Sequence, residues 1–145
     1  MISVYADGSS TGKANREGGW AFVITKDNQP IFANYGGNKH TTNNVMELTA
    51  AIEGLRAVLA NGWHIGNVVE LVSDSQYTLG IATGGYHPQK NIEICQELTA
   101  LFKKANARAR WVRGHAGDQW NERCDSLAKQ GKEEALLPRA DKPLG

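Results

Sequence analysis

Cysteine is nearly absent. The 145 residues contain two, Cys95 and Cys124, and neither belongs to a Cys-x-x-Cys pair, which excludes a disulfide scaffold and predicts two free thiols in a reducing compartment. An excess of either charge is also missing: 16 Lys and Arg stand against 15 Asp and Glu, for a formal charge of +1. Without a global basic surplus, any binding to a polyanion has to come from local clusters. No stretch approaches the roughly twenty apolar residues of a membrane span. The start, Met1-Ile-Ser-Val-Tyr-Ala-Asp7, lacks a basic segment followed by a long apolar run. A cytoplasmic location away from membranes is the expectation. Repeats, linkers and low-complexity segments are lacking too, and 41% hydrophobic residues is ordinary for one compact domain. We place that domain at residues 1–137, followed by a polar tail, 138–145, that carries Pro138 and Pro143 and reads as mobile.

Ile2, Val4 and Ala6 alternate with Ser3, Tyr5 and Asp7, the period of a strand with one buried face, and Gly8 reads as its end. Residues 20–25 and 30–35 are two further strands, and Asp27-Asn28 between them suits a tight hairpin. From Asn44 the period changes: Val45, Leu48, Ile52, Leu55 and Leu59 recur at three- and four-residue spacing until Asn61-Gly62, which predicts a helix. Residues 68–73 form a nearly continuous apolar run that ends at Asp74 and suits an interior strand. Short and longer helices are expected at 76–83 and 91–105, a fifth strand at 107–113, and a last helix from about 119 to about 136 with Trp120, Cys124, Leu127 and Ala128 on one face. The order β-β-β-α-β-α-α-β-α predicts one mixed five-stranded sheet, antiparallel first and parallel where helices cross over, with helices on its faces.

Four acids carry the chemistry of interest, and each has a plain local explanation. Asp7 could end a strand in an Asp-Gly turn. Glu47 could close a capping box with Asn44 as N-cap, Asp74 could cap the short helix that follows it, and Asp125 could be a solvated helix flank. Their joint placement changes the weighting, because strand ends and helix starts can bring all four to one sheet edge. Carboxylates held that close repel one another unless hard divalent cations neutralise them, and two such ions support phosphodiester hydrolysis. A zinc site on His115 and Cys124 fares worse: the two are nine apart, no second cysteine is near, and Cys124 falls on the apolar helix face. His115, between Gly114 and Ala116-Gly117, suits a proton carrier at the rim of a site.

Asp7-Gly-Ser, Thr42-Thr-Asn-Asn-Val-Met-Glu47-Leu, Ser73-Asp74-Ser-Gln-Tyr and Trp111-Val-Arg-Gly-His115-Ala-Gly-Asp-Gln-Trp-Asn-Glu-Arg-Cys-Asp125 resemble, in order and spacing, the motifs of the type 1 ribonuclease H family. The resemblance runs from about Ile2 to Gly131 and implies the ribonuclease H-like α/β fold. It implies an endonuclease that hydrolyses the RNA strand of RNA/DNA hybrids, leaving 3′-hydroxyl and 5′-phosphate ends, with two Mg²⁺ ions or Mn²⁺ in their place. By position, Asp7 would bridge both ions and Asp125 would complete the site of the ion that binds the attacking water. Glu47 and Asp74 would hold the ion on the leaving-group side, and His115 would assist proton transfer and product release. Asn43, Asn44 and Gln76 match positions that approach the minor groove, and Thr42 matches one that contacts a DNA-strand phosphate. The asparagine expected in the loop after the first strand is replaced by Lys13 or displaced to Asn15. Only 33 residues separate Tyr77 from Trp111, too few for the basic protrusion of many bacterial members, so weaker hybrid binding is expected. The hybrid would be the partner of a monomer with no obligate protein partner. A non-catalytic hybrid-binding module is the alternative, although such a module would be free to lose an acid and all four are present. A transposase-like nuclease would need the acids but neither the paired asparagines nor the His115 loop.

Overall fold

The computed structural model describes residues 1–12 and 15–137. Lys13 and the tail 138–145 lie outside the described residues. Strands β1 (Ile2–Ser10), β2 (Arg16–Lys26) and β3 (Gln29–Thr41) precede helix α1 (Asn43–Ala60), strand β4 (Val69–Ser73), helices α2 (Gln76–Thr83) and α3 (Ile92–Lys104), strand β5 (Arg108–Trp111) and helix α4 (Gln119–Ala135). The sheet order is β3-β2-β1-β4-β5. The β1/β2 and β2/β3 pairs are antiparallel and the β1/β4 and β4/β5 pairs parallel. That is the mixed sheet expected from the element order.

Two findings correct the expected strand β1. It does not break at Gly8 but continues to Ser10, because the ladder to β2 runs on through Ser10↔Gly18. Nor does it have one wet face, since Ile2 through Asp7 are all buried. The cause is topological: β1 is the central strand. Ile2, Val4 and Ala6 pack with α1, α2 and α3 in one core, while Tyr5 packs with Cys124, Leu127 and Ala128 of α4 in a second core on the other face. The hairpin is as read, with Asp27 and Asn28 both at positive φ (49° and 67°), as a two-residue turn of this hand requires.

Glycine sets two helix positions that matter for the site. A Cβ at Gly8 would stand 2.5 Å from the Glu47 amide nitrogen, so only a bare backbone lets β1 approach the second turn of α1. On the other face, a Cβ at Gly19 would collide with the carbonyl of Ala128, and one at Gly131 with the carbonyl of Gly36. Helix α4 thus lies directly against the β2/β3 backbone. That seat fixes where Asp125 can reach.

Candidate active site

Strand β4 ends at Ser73, so Asp74 follows it immediately. Asp7 lies just past the last parallel pair, Tyr5↔Val72, and three residues before the end of its own strand rather than at it. The two acids therefore meet at the carboxyl edge of the β1/β4 pair. Gly8 brings Glu47 to the same point from α1. One ligand oxygen from each of Asp7, Glu47 and Asp74 lies within 4.8 Å of the others.

The plain explanations of Glu47 and Asp74 fail on the geometry. The N-cap of α1 is Thr42, whose hydroxyl accepts a 3.2 Å hydrogen bond from the Val45 amide. Glu47 is too far along the helix to close a capping box, and it is buried at 6% exposure. The cap of α2 is Ser75, whose hydroxyl accepts from the Thr78 amide at 3.1 Å, which leaves the Asp74 carboxylate free of capping.

Asp125, half-buried on α4, stands outside the tight trio and forms an ion pair with Lys129 at 3.0 Å. It is still close enough that its charge raises the pKa of Asp7.

The electrostatics are those of an unneutralised acid cluster. Burial, then repulsion from Asp74 and Asp125, pushes Asp7 up to about 8, against the lowering effect of the Gly8 amide and Glu47. Burial, then repulsion from Asp7 and Asp74, pushes Glu47 up to about 10. Glu47 Oε2 is buried with no hydrogen-bond partner among the described residues. A buried carboxylate oxygen normally has a partner. The donor set is all oxygen, partly desolvated and short of positive charge, which fits hard divalent cations and fits zinc poorly.

One contributor has no role in the sequence reading. Asn121, in the first turn of α4, is buried, points its side-chain amide at Asp74 Oδ2 from 3.5 Å, and keeps a buried Oδ1 without a partner. The signal for it was available: Asn121 sits one turn before Cys124 on the apolar stripe, and a polar residue there calls for a reason. The Trp111 indole also donates to the Asp74 carbonyl at 3.0 Å. Removing the amide in Asn121→Ala is expected to lower kcat about fivefold with the fold retained, as a bond worth about 1 kcal/mol is lost. A kcat equal to wild type would show that Asn121 does not position Asp74.

The remaining residues form a rim. His115 is exposed, in the loop between β5 and α4, at φ 55°. Cys124 is fully buried and donates to the Tyr5 carbonyl at 3.3 Å, so it is a packed thiol. Asp118 is the N-cap of α4, accepting from the Trp120 and Asn121 amides. Asn43 and Asn44 are exposed in the first turn of α1, and Gln76 is exposed at the start of α2. The Arg16↔Thr41 pair brings exposed Asn15 alongside Thr42, and the Asn15 carbonyl lies 3.3 Å from His40 Nδ1. The Thr42 oxygen is committed to its cap, but its hydroxyl hydrogen remains available to donate.

Fold and site together have the form of a metal-dependent phosphodiester hydrolase. Comparison with known proteins agrees. The family model described as RNase H matches residues 1–133. Ribonuclease H of Bradyrhizobium diazoefficiens is 37% identical over 150 residues, spanning 94% of this chain and 93% of its own. Ribonuclease H of Hahella chejuensis is 39% identical over 150 residues, spanning 93% and 95%. Among solved structures, LC11-RNase H1 from compost in complex with an RNA/DNA hybrid superposes with a TM-score of 0.80 at 22% identity, covering 94% of this chain and 100% of its own. RNase H1 of Halobacterium salinarum gives 0.76 at 22%, covering 92% and 98%. The chain belongs to the ribonuclease H family, and it is an enzyme of that family.

Proposed function

We propose that the protein is an endonuclease that hydrolyses the RNA strand of RNA/DNA hybrids, using two Mg²⁺ ions held by Asp7, Glu47, Asp74 and Asp125, with Mn²⁺ able to replace them. The observation that carries this reading is the close trio of buried Asp7 and Glu47 with half-buried Asp74, and its unpartnered Glu47 oxygen. Divalent cations bound there would activate the attacking water and neutralise charge on the phosphodiester and the leaving oxygen. Asp7 feels the charge of both Asp74 and Asp125, which would suit it to serve as a ligand to both ions. Water attacks phosphorus and the bond to the 3′ oxygen breaks. That oxygen takes a proton and leaves as a 3′-hydroxyl, and the phosphate stays on the 5′ end of the other fragment. His115, exposed on its loop, would handle protons from outside the cluster.

Substrate choice follows from the rim. Asn43, Asn44 and Gln76 offer short amides to a shallow minor groove, where shape and the 2′-hydroxyl are read and sequence preference is weak. Thr42, with Asn15 beside it, would meet the phosphate backbone. A relative of this fold solved with an RNA/DNA hybrid supports the same substrate for this chain. Among the described residues no helix is long and apolar enough to cross a membrane, and the reading is of a monomer working in the cytoplasm.

The test is a side-by-side cleavage assay on RNA/DNA hybrid, double-stranded RNA and double-stranded DNA, with Mg²⁺ and with chelator. Only the hybrid should be cut, and only with the cation. Cleavage of double-stranded DNA at a comparable rate would favour a DNA nuclease on the same fold.

A further inference from the structure

Asparagine at position 28 is not the best choice for its backbone. Asp27 and Asn28 are the two central residues of the turn between β2 and β3, both at positive φ, and glycine is favoured at the second of them because it takes that conformation without strain. The side chain has a use across the fold. Asn28 Oδ1 accepts a 3.1 Å hydrogen bond from the Trp120 indole, 92 residues away in sequence. The turn that offers this oxygen is itself anchored, since the Asp27 amide donates to the Met1 carbonyl at 3.0 Å.

Trp120 stands in the first turn of α4. Its half-buried ring packs against the second core, among Tyr5, Val23 and Cys124, and the bond at its N–H selects the orientation of that ring. The Asp118 carboxylate accepts from the Trp120 and Asn121 amides together, so the two residues move as one unit. Asn121 then carries its own amide to Asp74 Oδ2 at 3.5 Å. That distance is already long for a hydrogen bond. A small rotation of the turn about the helix axis is enough to lose it, and the Trp120 ring, held at its far end by the hairpin, resists such a rotation.

We propose that Asn28 is a positioning residue for the acid cluster. Through Trp120 it fixes the first turn of α4, and through that turn the amide that Asn121 offers to Asp74. The kinetic consequence rests on the hydrolase reading above, whereas the path from Asn28 to Asp74 is a property of the fold alone. The competing explanation is a surface hydrogen bond that only adds stability. Asn28→Gly separates the two, because it removes the acceptor while giving the turn its preferred Asp-Gly pair. A bond kept for stability alone leaves kcat untouched in this variant. A positioning bond lowers kcat while the hairpin stays intact.

The experiment measures three quantities for wild type, Asn28→Gly, Asn28→Asp, Trp120→Phe, Asn121→Ala and the double variant of Asn28→Gly with Asn121→Ala. They are Tm, kcat and KM on RNA/DNA hybrid with Mg²⁺, and, without divalent cation, hydrogen exchange at the Glu122 amide, which donates to the Asp118 carbonyl at 3.0 Å in the turn concerned. Asn28→Gly and Trp120→Phe should each speed that exchange and lower kcat about threefold with KM unchanged, and Asn28→Gly should not lower Tm. Asn28→Asp keeps the acceptor and should match wild type. The double variant should be no slower than Asn121→Ala alone, because the effect runs through that amide. Wild-type exchange or wild-type kcat in Asn28→Gly, or a loss that multiplies with that of Asn121→Ala, would overturn the proposal while leaving hybrid cleavage standing. Wild type that does not cut hybrid would instead reject the hydrolase reading, and the exchange rates would then decide the positioning role by themselves.

Discussion

Asp7→Asn, assayed without divalent cation, should melt several degrees above wild type, and with Mg²⁺ it should have lost hybrid cleavage by about three orders of magnitude. Both effects come from the same contacts. Asp7 is buried at 4% exposure beside Glu47 and Asp74, and burial and repulsion oppose its charge. A neutral amide of the same shape removes that repulsion and can still accept the 3.0 Å bond from the Gly8 amide. On the proposed reading the activity loss follows because Asp7 would hold the cations, and such a site supplies several kcal/mol of transition-state stabilisation. Heat stability bought at the expense of activity marks a residue kept for function. Differential scanning calorimetry and a gel assay on one preparation check both halves. A variant that melts lower and still cuts would remove Asp7 from the centre of the account.

Stability without cation should fall as pH rises, opposite to the usual behaviour of paired carboxylates. The folded pKa of Asp7 is raised from 3.8 to about 8 and that of Glu47 from 4.5 to about 10. Their contribution is fully present below about pH 4, where folded and unfolded chains are both protonated, and is lost progressively as pH rises toward the folded values. Asp7 sets the window from about pH 4 to about pH 8. Cation binding would replace the protons of Asp7 and Glu47, so the gain in Tm on adding Mg²⁺ should be measurable at neutral pH, and titration there should release about two protons. Melting curves across this window, with and without Mg²⁺, measure the first effect, and calorimetry in buffers of differing ionisation enthalpy measures the second. A Tm that climbs with pH in chelator would mean that the acids are not held together in the folded chain.

The sheet, the helices and their order were legible because each period is strong. The apolar run ending at Ser73 becomes the fully buried β4, and the stripe Val45 to Leu59 becomes α1. The true length and burial of β1 were not legible, since centrality is a property of the whole sheet and local alternation cannot report it. The same limit applies to the caps. Asn44 and Asp74 have the right chemistry to cap, but Thr42 and Ser75 do so, one or two residues earlier or later, and this offset frees Glu47 and Asp74 for the cluster. Local sequence left a structural explanation standing for every acid, and the three-dimensional structure removes it for Asp7, Glu47 and Asp74. Asp125, half-buried, stands outside the trio and is paired with Lys129 on its own helix. Asn121 has no role legible in the sequence because its partner lies 47 residues away.

The most direct measurement is the chemistry of the product ends, taken from the hybrid arm of the cleavage assay with each strand labelled in turn. Water attack with departure of the 3′ oxygen predicts cuts in the RNA strand alone, leaving 3′-hydroxyl and 5′-phosphate ends in Mg²⁺ and nothing in chelator. Ends carrying a 2′,3′-cyclic phosphate, or cleavage that persists in chelator, would mean that the neighbouring 2′-hydroxyl and not a water makes the attack, and would contradict the role assigned to Asp7, Glu47, Asp74 and Asp125.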